Sequence, residues 1–190
     1  MKRTVELGFL LALALILSYV ESLIPFSFGI PGIKLGLPNL IVLLLLYDTS
    51  GVESVPAEHE DGSGTAKERA FFEGAREALL VNALRIVLSG FIFSNLYAIL
   101  YALSGAAFSF PAMLAGKKCG RFSMIGVSVL GGVFHNIGQI LVAMAVVETA
   151  AVAYYAPFLI VAGTVTGALL GFAGMELSPY LRRMSSRSLT

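Results

Sequence analysis

The chain predicts an all-α membrane protein, a bundle of six transmembrane helices. Three observations carry this. Of 190 residues, 57% are hydrophobic and only 13% charged, whereas a soluble domain is typically about a quarter charged. The apolar residues fall in blocks of membrane-spanning length, and the mean hydropathy is +0.84. Within the blocks the apolar residues run on without alternation, so helices rather than barrel strands satisfy the backbone in lipid.

The first helix is expected over 5–24. Met1-Lys-Arg ahead of an apolar run resembles a signal peptide. The run is longer than a typical signal core, however, and Ser18-Tyr-Val-Glu-Ser22 lacks a small-x-small cleavage site. Glu21 lies near the outer end of this helix. Gly8 and Ala12 form a small-xxx-small face on which another helix can pack closely.

Residues 25–38 are broken by Pro25, Gly29, Pro31, Gly32, Gly36 and Pro38, which excludes a regular helix. The segment is nevertheless apolar, with Phe26, Phe28, Ile30, Ile33, Leu35 and Leu37. It reads either as an interfacial connector or as a lid packed over a ligand site. A short second helix is expected over 35–47. Residues 48–75, rich in Glu, Gly and Ser with Pro56, read as a polar loop. His59 belongs to it without a scaffold that could fix a metal.

Four further helices are expected over 76–93, 96–115, 124–147 and 154–175. The third and fourth are separated by a tight Ser94-Asn95 turn, and the fourth and fifth by a basic Gly116-Lys-Lys-Cys-Gly-Arg121 loop. The sixth carries Gly163, Gly167, Gly171 and Gly174 among apolar residues. With both termini cytoplasmic, Lys2, Arg3, Lys67, Arg69, Arg76, Lys117, Lys118, Arg121, Arg182, Arg183 and Arg187 fall inside. Only Lys34 falls outside. The positive-inside rule favours this orientation and rejects its inverse, which puts the 25–38 segment outside and the 48–75 loop in the cytoplasm.

Polar residues within the spans carry the functional signal, because such groups usually face a bundle interior or cavity. Arg85 lies about 13 Å from the inner end of the third helix, and His135 about 16 Å from that of the fifth, at 1.5 Å per residue. At similar depth, they can line one polar pocket with Asn82, Asn136 and Gln139. His135 and Gln139, four apart, share a helix face, with Gly131, Gly132 and Gly138 close by. Glu21 and Asn39 fit the rim. Phe26, Phe28, Tyr97, Tyr101, Tyr154, Tyr155 and Phe158 fall toward the outer half. They read as interface-belt residues or as faces that sandwich a planar ring. The polar cluster itself reads as ligand contact or as hydrogen-bonding glue between helices.

Pro31-Gly-Ile-Lys-Leu-Gly-Leu-Pro-Asn39, the early Ser18-Tyr-Val-Glu-Ser22, the late His135-Asn-Ile-Gly-Gln139 and the six-span layout resemble the Gx transporter family. That family is also called heptaprenyl diphosphate synthase component I, and is similar to the S components of energy-coupling-factor vitamin transporters. The resemblance covers nearly the whole chain, with 48–75 as an insertion. It implies a six-helix fold with an outward-opening site gated by the segment between the first two helices. It also implies docking on a transmembrane coupling subunit driven by two ATPases. Gly8 and Ala12 are the nearest match to the usual Ala-x-x-x-Ala docking pattern and depart from it at the glycine.

Two function classes follow, besides a structural role in a membrane redox complex. One is a membrane binding and transport protein for a small, partly planar vitamin or cofactor precursor, a flavin first and a quinone or isoprenoid second. Arg85 would then engage an anionic or carbonyl group, with His135, Asn136 and Gln139 orienting the ligand. The other is an accessory subunit in prenyl diphosphate synthesis. That chemistry needs clustered aspartates to hold magnesium against a diphosphate. Asp48 and Asp61 are the only aspartates, and both lie in or beside the polar loop. No catalytic role, resident cofactor or metal is therefore expected of this chain.

Overall fold

A computed structural model describes residues 2–23, 36–47 and 63–187. Among these residues six α-helices follow in order: α1 (Lys2–Leu23), α2 (Asn39–Tyr47), α3 (Ser63–Phe93), α4 (Leu96–Cys119), α5 (Met124–Val147) and α6 (Ala156–Arg187). A 3-10 helix over Ala150–Tyr155 leads into α6. Phe28, His59 and most of the 25–38 segment lie outside the described residues.

Local chemistry sets the boundaries. Asn95 caps α4, its Oδ1 accepting the Ala98 N–H at 2.9 Å, and Gly120 at φ 69° closes the helix, its N–H donating to the Lys117 carbonyl. Ser123 caps α5 in the same way, its Oγ accepting the Gly126 N–H at 3.2 Å. An Asn or Ser side chain ahead of a helix satisfies one of its orphan amides. The polar loop expected over 48–75 is helical from Ser63 onward. Ala66-Lys-Glu-Arg-Ala-Phe-Phe-Glu73 contains strong helix formers and no Gly or Pro, and its polarity does not prevent a helix outside the lipid.

Cross-contacts show that the helices alternate in direction. At one end the Arg3 guanidinium bridges Glu6 at 3.1 Å and Glu77. There the Lys117 ammonium donates to the Leu46 carbonyl and stands 5.0 Å over the Tyr47 ring and 5.3 Å over the Phe71 ring. At the other end the Tyr19 and Phe93 rings are 5.1 Å apart. The same number of residues separates the two contacts on α1 as on α3, so these helices lie side by side in register.

The short α2 runs down the middle. Every residue from Leu40 to Leu46 is buried, which is the signature of a helix apolar all round and enclosed by others. It packs among α1, α3, α5 and α6. On the opposite flank α5 and α6 cross at their glycines. A Cβ on Gly167 would come within 2.7 Å of the Val129 Cα, and one on Gly171 within 2.6 Å of the Ile125 Cα. Small residues let the two backbones touch, which is how helices associate where no hydrophobic effect drives them.

Four of the described helical stretches are long and apolar enough to cross a membrane: Arg3–Leu23, Leu96–Cys119, Met124–Val147 and Ala150–Leu181. The chain is thus an all-α protein of the multi-pass membrane type, while the expected count of six spans exceeds the four that meet this standard. The described α2 is too short. In α3 the apolar stretch toward Phe93 is interrupted by Arg76, Glu77 and Arg85.

Candidate functional site

The buried stripe of α1 runs through Leu10, Ala14, Ser18 and Glu21, at helical spacings of four, four and three. Its last member does not reach water. The Glu21 carboxylate accepts the backbone N–H groups of Gly36 and Leu37, the latter at 3.2 Å. These amides precede α2, where Gly36 takes a left-handed φ of 81° and its carbonyl accepts the Asn39 N–H at 2.9 Å. A carboxylate facing the amides at a helix start is doubly favoured, by hydrogen bonding and by the helix dipole. Glu21 therefore clamps the turn that opens α2 onto α1.

On α3 the buried stripe continues through Ala78, Val81, Asn82, Arg85, Ile86 and Ser89. One Arg85 Nη donates to the Asn82 Oδ1 at 2.5 Å, which fixes the guanidinium along its own helix. Arg85 lies eight residues beyond Glu77, about 12 Å farther from the basic end. It sits within electrostatic range of both Glu21 and His135.

His135 projects from α5 between two glycines. A Cβ on Gly105 of α4 would come within 2.9 Å of its Nε2, and one on Gly36 within 3.7 Å of its Cδ2. Nδ1 lies beside the Gly105 backbone without an aligned hydrogen bond. One turn on, Gln139 is 1% exposed and its Oε1 has no hydrogen-bond partner. Next to them Ser104 Oγ donates to the Gly138 carbonyl at 2.6 Å, holding α4 tightly on α5.

Glu21, Asn82, Arg85, His135 and Gln139 are all buried, and Arg85 lies within electrostatic range of both Glu21 and His135. Asn39, half-buried in the Gly36 turn, lies close to His135 through Gly36. Asn136 faces elsewhere: its Nδ2 donates to the Leu159 carbonyl of α6 at 2.6 Å and lies against Gly163. Tyr97 is not brought in, since it is 59% exposed on the first turn of α4, and Tyr154, Tyr155 and Phe158 are exposed as well. No aromatic sandwich forms from these four, which stand where an interface belt would. Gly8 and Ala12 are on the outward face of α1, with nothing within 4 Å of a Cβ at Gly8.

Ser104 and Gly105 were not among the expected site residues. Their signal is the run of small residues Ser104-Gly-Ala-Ala107 within α4, the sequence mark of close helix approach.

Chemically the cluster offers a fixed cationic donor at Arg85, an unpartnered acceptor at Gln139 Oε1 and a ring nitrogen at His135. Among the described residues no three His, Cys, Asp or Glu side chains come together as a metal site. The family model described as heptaprenyl diphosphate synthase component I matches residues 10–56 and 69–177, which include every member of the cluster. No curated protein and no solved structure matches the chain.

Proposed function

The chain belongs to the heptaprenyl diphosphate synthase component I family, and from that premise we propose that it binds and moves a small molecule across the membrane. The observation that carries this is the pair of buried, unpartnered atoms one turn apart on α5, Gln139 Oε1 and His135 Nδ1, with the His135 ring within electrostatic range of Arg85. A buried acceptor without a partner costs about 1–3 kcal/mol, and at membrane depth polar groups usually mark a substrate path. A ligand with complementary donors would supply what the protein withholds.

In this reading the chain makes six passes with both termini in the cytoplasm of the cell. The basic end of the bundle, with Arg3, Lys117, Lys118 and Arg121, is the inner one. The Gly36–Asn39 turn is the inner edge of a lid on the outer face, and Glu21 is its clamp. The chain has no catalytic role of its own. Its ligand is a partly planar vitamin or cofactor precursor, with a flavin as the first candidate. The open face of α1 around Gly8 and Ala12 receives an energy-coupling transmembrane subunit that works with two ATPases.

A second reading rests on the family's name, which describes a component of a synthase. There the same cluster would hold an isoprenoid or quinone precursor for a separate catalytic chain. The deciding experiment is an absorbance and mass spectrum of the molecule retained after gentle detergent purification. A vitamin-like chromophore supports transport. An isoprenoid or quinone supports the accessory role, and an empty protein that ignores a thermal-shift screen of vitamins contradicts the proposal.

A further inference from the structure

From Leu40 to Leu46 the side chains of α2 carry no polar atom, and all of them are buried. Apolar packing keeps such a helix inside the bundle, whereas polar contacts are what specify register along an axis. The polar contacts of α2 are at its two ends.

At its start the Glu21 carboxylate of α1 accepts the Gly36 and Leu37 amides. The Gly36, Leu37 and Pro38 carbonyls then accept the amides of Asn39, Leu40 and Ile41 at 2.9, 3.2 and 3.0 Å, which ties the turn to the helix. At its finish the Lys117 ammonium of α4 donates to the Leu46 carbonyl, one of the last carbonyls of α2, which find no partner within a helix. The same ammonium stands over the rings of Tyr47 in α2 and Phe71 in α3. A carboxylate at the first turn and an ammonium at the last both suit the helix dipole. Opposite charges from two different helices thus grip one buried helix at points about 13 Å apart, at 1.5 Å per residue.

The Glu21 end bears on the site. A Cβ at Gly36 would come within 3.7 Å of the His135 Cδ2, and His135 carries, with Gln139 one turn on, the buried atoms that have no partner. A displacement of α2 at Leu46 is therefore carried along its backbone hydrogen bonds to the turn beside His135.

We propose that Lys117 is a positioning residue for the His135–Gln139 site. It acts through α2, fixing the height of the buried helix and with it the Gly36 turn beside the imidazole. The proposal rests on the binding reading above only in calling that place a site.

The experiment is hydrogen–deuterium exchange of the ligand-free, detergent-solubilised full chain, read by mass spectrometry on overlapping peptides that resolve 36–41 from 42–47. Four proteins are compared: native, Lys117→Met, Lys117→Arg and Lys118→Met. Lys117→Met keeps the apolar stem and removes the donor and the charge, and Lys117→Arg keeps both. Lys118 is the neighbouring control, exposed and 5.8 Å over the Phe72 ring. Lys117→Met is expected to exchange about tenfold faster at 36–41, the order that a charge at a partly buried helix end supplies. Lys117→Arg and Lys118→Met are expected to exchange as the native chain does, and residues 127–143 of α5 to stay unchanged in all four. Faster exchange confined to 42–47 makes Lys117 a local cap and overturns the proposal. So does an equal effect of Lys118→Met, a Lys117→Arg protein as fast as Lys117→Met, or a matching rise across 127–143. Should Lys117→Met fail to fold, Lys117→Gln, which keeps a neutral N–H donor, is read by the same criteria. Because no ligand enters the measurement, a chain that retains no small molecule can still bear out the role of Lys117, and one that binds can still refute it.

Discussion

Gly105 of α4 lies against the imidazole of His135, so close that a Cβ there would come within 2.9 Å of Nε2 and nearer still to Cε1 and Nδ1. Gly36 lies near the Cδ2 edge of the same ring, where a Cβ would come within 3.7 Å. The position of His135 is thus set by a residue that has no side chain at all. Gly105→Ala should cost about 1–3 kcal/mol through overpacking and weaken ligand binding by about tenfold or more. Binding isotherms alongside thermal melts separate the two effects. Unchanged affinity in a folded Gly105→Ala protein would remove His135 from the site.

Gln139 makes the opposite prediction for stability. Its Oε1 is buried without a partner, so an apolar side chain of similar size relieves that cost. Gln139→Leu should raise the stability of the ligand-free protein by about 1 kcal/mol while binding is lost. Stability and function pull apart at residues kept for a ligand. A Gln139→Leu protein that melts lower than the native chain would assign Gln139 a structural role instead.

Asn136 should behave as glue. Its amide is committed to the Leu159 carbonyl, and interhelical hydrogen bonds in membranes average about 0.6 kcal/mol. Asn136→Ala should therefore lower the melting temperature slightly. Gly167→Ala, whose new methyl would press on the Val129 backbone, should lower it more, with a loss of stability of about 1–3 kcal/mol. The reverse order would mean that α5 and α6 are held by polar bonds rather than by backbone contact.

Topology is open to a direct test. α5 begins after the basic Arg121 turn and ends at Glu148, so reporters fused at these two positions should report opposite sides. Arg121 should lie in the cytoplasm, and a reporter at Ser27 should agree with Glu148. Reporters at Arg121 and Glu148 on the same side would mean that α5 does not cross.

The helical, membrane-embedded character was legible because apolar blocks and helix caps are local signals. A fixed rise per residue converts sequence position into height, which is how Arg85 and His135 could be paired in sequence, and the two lie within electrostatic range. Glu21 was legible only as a rim residue. Its bonds to Gly36 and Leu37 join positions fifteen and sixteen residues apart, and no local pattern announces such a pairing. Asn136 and Gln139 looked alike in sequence, but they point to different neighbours because three residues turn the helix by about 60° away from a full turn. Tyr97 misled because an aromatic near a helix end suits a belt and a pocket equally well. The start of α3 at Ser63 is not announced by the sequence, because its charge suits a loop as well, although Glu, Lys, Arg and Ala are good helix formers wherever lipid is absent.

The most direct test of the central claim is native mass spectrometry of the full chain released from mild detergent, compared with Arg85→Gln and Gln139→Leu. The account predicts a small-molecule mass increment on the native chain that both folded variants lack. An increment carried equally by all three proteins would contradict it, because the retained molecule would then depend on neither Arg85 nor Gln139.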